Sequence, residues 1–140
     1  MKFYLSIATI LYLFILQSCD KQTSSACQEI TVNETFTAKI NETWCIDEAD
    51  WEITFGPLIE DSRCNVPGIL CIWAGRFVLG ATIKDNGETL QDTFFAEFNW
   101  TDTLYQGPYK IIMSKVYPEE RTSMDALDPS AYSFDITVKQ

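Results

Sequence analysis

The reactive side chains of this sequence are mainly cysteines and carboxylates, because the chain contains no histidine. Ser–His–Asp triads, Cys–His dyads and histidine-ligated metal sites are therefore excluded. The chain carries 20 Asp and Glu against 10 Lys and Arg, a formal net charge of −10. A surface this acidic repels nucleic-acid phosphates and anionic lipid headgroups, so we expect no nucleic-acid partner.

Cys19, the first of five cysteines, follows an N terminus typical of an exported protein. Lys2 gives a positive start, and the apolar run over residues 3–16 is too short for a membrane span, which takes ~20 residues. The sequence Leu16-Gln17-Ser18-Cys19 resembles the lipobox of bacterial lipoproteins, which implies lipidation of the Cys19 thiol and cleavage before it. We predict a lipoprotein signal peptide at 1–18 and a lipidated flexible tether at 19–26. The alternative is an ordinary signal peptide with an incidental cysteine.

The other four cysteines are candidates for two disulfides, since an exported protein folds in an oxidising compartment. Four cysteines allow three pairings. Cys64 and Cys71 enclose a Pro-Gly step that favours a tight turn, so this local pair is the preferred one, and Cys27–Cys45 completes the set. A zinc site of four thiolates is the alternative, but the spacings contain no CxxC and suit zinc poorly.

Carboxylates offer a second kind of site. Asp47, Asp50 and Asp61 are weak candidates for calcium ligation by hard oxygen atoms, although no calcium-binding loop pattern is present. A solvated acidic face is the simpler interpretation of this cluster.

A glycan site is a further alternative. Glu60, Asp61 and Glu97 could supply a carboxylate pair for glycan hydrolysis, and Trp44 and Trp100 could serve as sugar platforms. The short mature chain leaves little room for a deep cleft. We therefore lean against an enzyme, assign no catalytic residue and expect no cofactor.

The stretch 61–75 contains the most distinctive motif of the chain. Asp61-Ser62-Arg63-Cys64 is followed, after six residues, by Cys71-Ile72-Trp73-Ala74-Gly75. It resembles a D-S-R-C-P…C-x-W-A-G motif of small exported bacterial lipoprotein domains, with Asn65 where proline is usual. The resemblance implies a β-sandwich and brings no assigned activity.

The residues of this motif also have physical interpretations of their own. Trp73 lies two residues beyond Cys71, so on a strand both face one side. We predict that Trp73 packs in the core, with stacking on a ligand as the alternative. Arg63 is predicted to hold its loop by a bidentate bond to Asp61, with anion binding as the alternative. Gly75 permits a bulge or a close backbone approach.

Short alternating runs separated by turn residues predict strands along the mature chain. Such runs cover 51–55, ending at Gly56-Pro57, then 72–83, 109–117 and 131–138, and Asn86-Gly87 is a strong hairpin signal. No helical period is evident. We predict an all-β fold, an antiparallel β-sandwich of seven to nine short strands over 27–140.

These features predict the cellular location of the protein more clearly than its activity. We expect a lipoprotein of the bacterial cell envelope, lipid-anchored to a membrane and facing the periplasm or the cell exterior. The leading functional hypothesis is a non-enzymatic interaction module with an envelope protein or glycan as partner. Its candidate surfaces are the 61–71 loop and the 47–51 segment, because loops at the ends of a sandwich carry binding. The sequence leaves the oligomeric state undetermined.

Overall fold

The structure is a computed structural model that describes residues 27–64, 66–73, 75–97, 101–121, 125 and 127–140. The predicted signal peptide, Cys19 and the tether lie outside the described residues. Nine strands occur in the described part, and no α-helix does. The strands are β1 Gln28–Glu29, β2 Thr35–Lys39, β3 Thr43–Ile46, β4 Trp51–Asp61, β5 Phe77–Asp85, β6 Glu88–Ala96, β7 Asp102–Gln106, β8 Tyr109–Tyr117 and β9 Ser133–Lys139.

The strands form two sheets, as the alternating pattern predicts. One sheet has the order β1-β3-β4-β5-β6 and the other β2-β9-β8-β7. Every described pairing is antiparallel except that of β1 with β3. The all-β sandwich is therefore confirmed.

Alternation along the strands builds the core between the sheets. In β9, buried residues at every second position alternate with half-buried ones, which places one face of the strand inward. Phe55 of β4 meets Phe134 of β9 edge to face, with ring centroids 5.3 Å apart. Trp51, at the start of β4, packs against Tyr109 with tilted rings whose centroids are 5.2 Å apart. Contacts of this kind bury apolar surface from both sheets in one cluster.

Two strand boundaries differ from the sequence-based prediction. Strand β4 continues past Gly56-Pro57 to Asp61, because a shift of register between Phe55 and Leu58 accommodates the proline, which has no amide hydrogen to donate. Strand β5 begins at Phe77 rather than at 72, because Gly75 adopts a left-handed φ of +72° that ends the extended backbone.

The sandwich has two distinct ends. At the hairpin end, β5 turns into β6 through Asn86-Gly87, both with positive φ, as a type I′ turn requires. At the opposite end, called here the loop end, β4 finishes at Asp61 and β5 resumes at Phe77, so residues 62–76 form a loop between them. Asp50 precedes β4 and Asp61 ends it, so the two candidate surfaces at 47–51 and 61–71 lie at opposite ends of the molecule.

Candidate functional site

A buried cluster of charged side chains underlies the 62–76 loop. Arg63 is fully buried, Arg121 is 2% exposed and Tyr132 is 1% exposed. The side chain of Asp61 is 3% exposed and lies between them. Three different segments therefore converge on one carboxylate at the loop end.

Asp61 holds Arg63 in the bidentate arrangement predicted from the sequence. Arg63 Nε donates to Asp61 Oδ1 at 2.8 Å and Nη2 donates to Oδ2 at 3.0 Å. Arg63 Nη1 donates to the carbonyl oxygens of Val116 and Pro118, and its guanidinium lies 5.2 Å from the centroid of the Phe77 ring. The first residue of the loop after Ser62 is thereby tied to both sheets.

Arg121 and Tyr132 complete the network around Asp61. The Tyr132 hydroxyl donates to Asp61 Oδ2 at 2.8 Å. Arg121 Nη1 donates to the backbone oxygens of Asp61 at 3.3 Å and Arg63 at 3.5 Å, and its Nη2 donates to the Asp125 carbonyl oxygen. Sequence reasoning missed both residues, because neither has a local signal that places it beside a carboxylate 60 or 71 positions away.

The environment of Asp61 favours its ionised form. Burial raises the pKa of the carboxyl group, but the hydrogen bonds and positive charge of Arg63, with the Tyr132 hydroxyl, outweigh burial and leave the pKa below its ordinary value. Burial and the bond to Asp61 raise the pKa of Tyr132 to about 12. A carboxylate whose oxygen atoms are both occupied by donors is a poor general acid or base, so this cluster is structural and positions the loop.

The 62–76 loop is closed at its base by the backbone. Ser62 N donates to Arg76 O at 2.9 Å, and Arg76 N donates to Ser62 Oγ at 3.1 Å. Gly75 lies so close to this base that a Cβ atom would stand 1.9 Å from the carbonyl oxygen of Ser62. The close approach predicted for Gly75 therefore occurs, and only glycine fits it.

A disulfide braces the outer part of the loop. Cys64 and Cys71 are bonded, with Cα atoms 6.1 Å apart, and Cys27 and Cys45 form the second disulfide. Both are the pairs favoured by the spacing of the cysteines. A disulfide-closed loop has little conformational freedom left to lose when it binds.

The tip of the loop exposes large apolar side chains to solvent. Leu70 is 95% exposed, Ile72 89%, Trp73 62% and Ile69 49%; these four residues are called the apolar tip below. The prediction that Trp73 packs in the core is wrong. Because β5 begins only at Phe77, Trp73 is not on a strand and does not face the sandwich. Leu70 and Ile72 were not singled out as candidates, since apolar residues in a β-rich sequence are ordinarily core.

The candidate calcium ligands do not come together. Asp50 precedes β4 and Asp61 ends it, so 11 steps of about 3.3 Å along the strand separate them by roughly 35 Å. Asp61 is also occupied by Arg63. The side chain of Asp47 lies outside the described part. No group of three or more cysteine or carboxylate side chains among the described residues could hold a metal ion.

The candidate glycan site is not assembled either. Trp44 is buried and stacks on Phe36 with centroids 4.2 Å apart, so it offers no sugar platform. Glu60 is bonded to Arg76, whose hydrogen bond lowers the pKa of that carboxyl group, while Asp61 faces the buried cluster. Trp100 lies outside the described residues.

The comparisons with known proteins give no relative from which an activity could be transferred. No family model matches the chain, and neither a curated protein nor a solved structure is significantly similar to it. Within the described residues, no helix has the length and apolar character needed to cross a membrane. The functional argument therefore rests on the geometry of the loop end.

Proposed function

We propose that this chain is a lipid-anchored, non-enzymatic interaction module of the bacterial cell envelope, and that the 62–76 loop is its binding surface. The observation that carries the proposal is the apolar tip, in which Leu70 and Ile72 are almost fully exposed. The two disulfides fit a location outside the cytoplasm.

Exposed apolar side chains in such a rigid setting favour binding over folding. Burying a side chain of this size contributes about 1.5–3 kcal/mol, a gain that the isolated domain does not obtain from the apolar tip. The Asp61–Arg63 bonds and the Cys64–Cys71 disulfide hold the loop in place, so its ordering cost is met by the fold itself. Several large apolar side chains exposed close together along a braced loop are characteristic of an interaction surface.

Site-specific photocrosslinking in intact cells tests this proposal. A photoreactive phenylalanine analogue replaces Leu70 in one variant and Tyr105, near the hairpin end, in the control. Both side chains are exposed, so neither change disturbs the core. We expect adducts from position 70 and none from position 105. Equal adduct formation at both positions, or none at position 70, would show that the loop is not the binding surface.

A further inference from the structure

We infer that the occupant of the apolar tip is a lipid surface: the tip inserts into the interface of the membrane that holds the anchor. This inference rests on the proposed function and identifies its ligand. Three features of the loop end support it.

The first feature is the chemistry of the tip. Residues 66–73 read Val-Pro-Gly-Ile-Leu-Cys-Ile-Trp and contain no polar side chain except the indole N–H of Trp73. Protein interfaces surround their apolar centre with a polar rim and form about one hydrogen bond per 100–200 Å². A lipid interface requires no such partners, and tryptophan is enriched there because its ring is apolar and its N–H reaches the headgroups.

The second feature is the charge of the loop itself. All 20 carboxylate residues lie outside 62–76, whose charged residues are the buried Arg63 and the surface Arg76. Arg76 is itself paired with Glu60. Carboxylates such as Glu97 and Asp102 lie behind the loop, at the ends of the strands. The residues that would enter the lipid interface therefore carry no negative charge for lipid phosphates to repel.

The third feature is the direction from which the chain reaches the domain. Strand β1 is parallel to β3, β3 is antiparallel to β4, and β4 runs toward the loop end. Strand β1 therefore runs away from the loop end, and its first residue, Gln28, is its end nearest that side. Gln28 lies level with Ile53 and Ile83, six residues along β5 from Phe77, so it is about 20 Å from the loop end. Eight residues, the length of 19–26, span up to ~27 Å when extended, which is enough to cover this distance.

Quenching of tryptophan fluorescence by brominated lipid tests the inference directly. The protein is purified from its native membrane, reconstituted into phosphatidylcholine vesicles and compared in lipids with and without brominated acyl chains. We expect stronger quenching of the wild-type emission than of the emission of Trp73→Phe. The buried Trp44 and Trp51 supply a constant background.

A second pair of variants keeps the test independent of the probe residue. Ile72→Ser makes the tip polar, whereas Tyr105→Ser changes another exposed side chain, near the hairpin end. We expect weaker quenching of Trp73 in Ile72→Ser and unchanged quenching in Tyr105→Ser. Both residues are exposed, so neither variant loses core packing.

The outcomes separate this inference from the proposed function. Quenching that is equal in wild type and Trp73→Phe, or absent from both, overturns the lipid inference. If position 70 then still forms adducts with a protein in cells, the loop remains the binding surface and its ligand is a protein. If position 70 forms no adducts either, both the proposed binding surface and the lipid inference are wrong.

Discussion

The Asp61–Arg63 pair allows a sharp test of how the loop end is held together. Asp61→Asn keeps the shape of the side chain but removes the negative charge between two buried guanidinium groups. Arg63 Nε and Nη2 then compete for one remaining side-chain acceptor instead of two, and an amide N–H₂ faces a donor. The buried charge of Arg63 then has no carboxylate to compensate the cost of removing it from water.

The expected loss follows from the burial of the pair. Removing one partner of a buried ion pair costs about 3–5 kcal/mol, because the other charge stays in a medium of low dielectric constant. Asparagine still accepts one hydrogen bond, so we expect about 3 kcal/mol, at the lower end of that range. For a domain of this size, each kcal/mol shifts the midpoint of thermal unfolding by about 4 °C, which predicts a fall of roughly 12 °C. Such a loss is a large part of the ~5–15 kcal/mol typical of a whole domain.

Urea unfolding with both disulfides intact measures this loss. The matched control is Asp92→Asn, the same chemical change at an exposed position of β6. We expect a lower urea midpoint with an unchanged slope for Asp61→Asn, and a change within about 0.5 kcal/mol for the control. In the double variant Asp61→Asn/Arg63→Met, the loss should be smaller than the sum of the single losses, since no unpaired charge remains. Equal stability of Asp61→Asn and Asp92→Asn would refute the assignment of the cluster as a structural support.

Three further predictions concern pH and the base of the loop. Because folding lowers the pKa of Asp61, the stabilising contribution of Asp61 is complete above the ordinary carboxyl pKa near 4 and is lost as the pH falls through the lower folded value. Asp61→Asn should therefore flatten the acid dependence of the urea midpoint. Parallel curves for the variant and the wild type would contradict this. Because folding raises the pKa of Tyr132 to about 12, the contribution of Tyr132 to stability is complete below pH 10 and is lost as the pH rises toward 12. Phenolate absorbance should show a late-titrating tyrosine that Tyr132→Phe removes. If Tyr132→Phe leaves the late titration unchanged, the bond to Asp61 does not form. Gly75→Ala should destabilise the domain by more than 1 kcal/mol beyond Gly68→Ala. Both glycines have a positive φ, but only at Gly75 would an added Cβ clash with the carbonyl oxygen of Ser62. Equal midpoints of thermal unfolding for the two variants would contradict that contact.

Local signals in the sequence predicted much of the fold. Strand β8 occupies 109–117 as the alternating pattern indicates, and the Asn86-Gly87 turn joins β5 to β6. The Cys64–Cys71 bond also follows from a short separation that encloses a turn. Each of these features depends on residues within about ten positions of one another, so the information is present in a single stretch of chain.

For the side chains of the loop, one prediction from the sequence was correct and another was wrong. The bidentate Asp61–Arg63 bond is an interaction between residues two positions apart and was predicted. The burial of Trp73 was predicted wrongly, because it depended on a strand that begins five residues later than the pattern suggested. Alternation gives the face of a side chain only once the limits of the strand are known.

The sequence by itself determined the alternating strands and the hairpin turn, since backbone propensity decides these over short distances, and it favoured the observed pairing among the three possible for the cysteines. Only the tertiary structure decided that Arg121 and Tyr132 meet Asp61 from positions 60 and 71 residues away. It also decided that Leu70, Ile72 and Trp73 face solvent. The physical reason is that burial depends on which strands from distant parts of the chain pack together, and at the loop end the buried space is filled by the charged cluster and its tyrosine, which leaves the apolar tip outside.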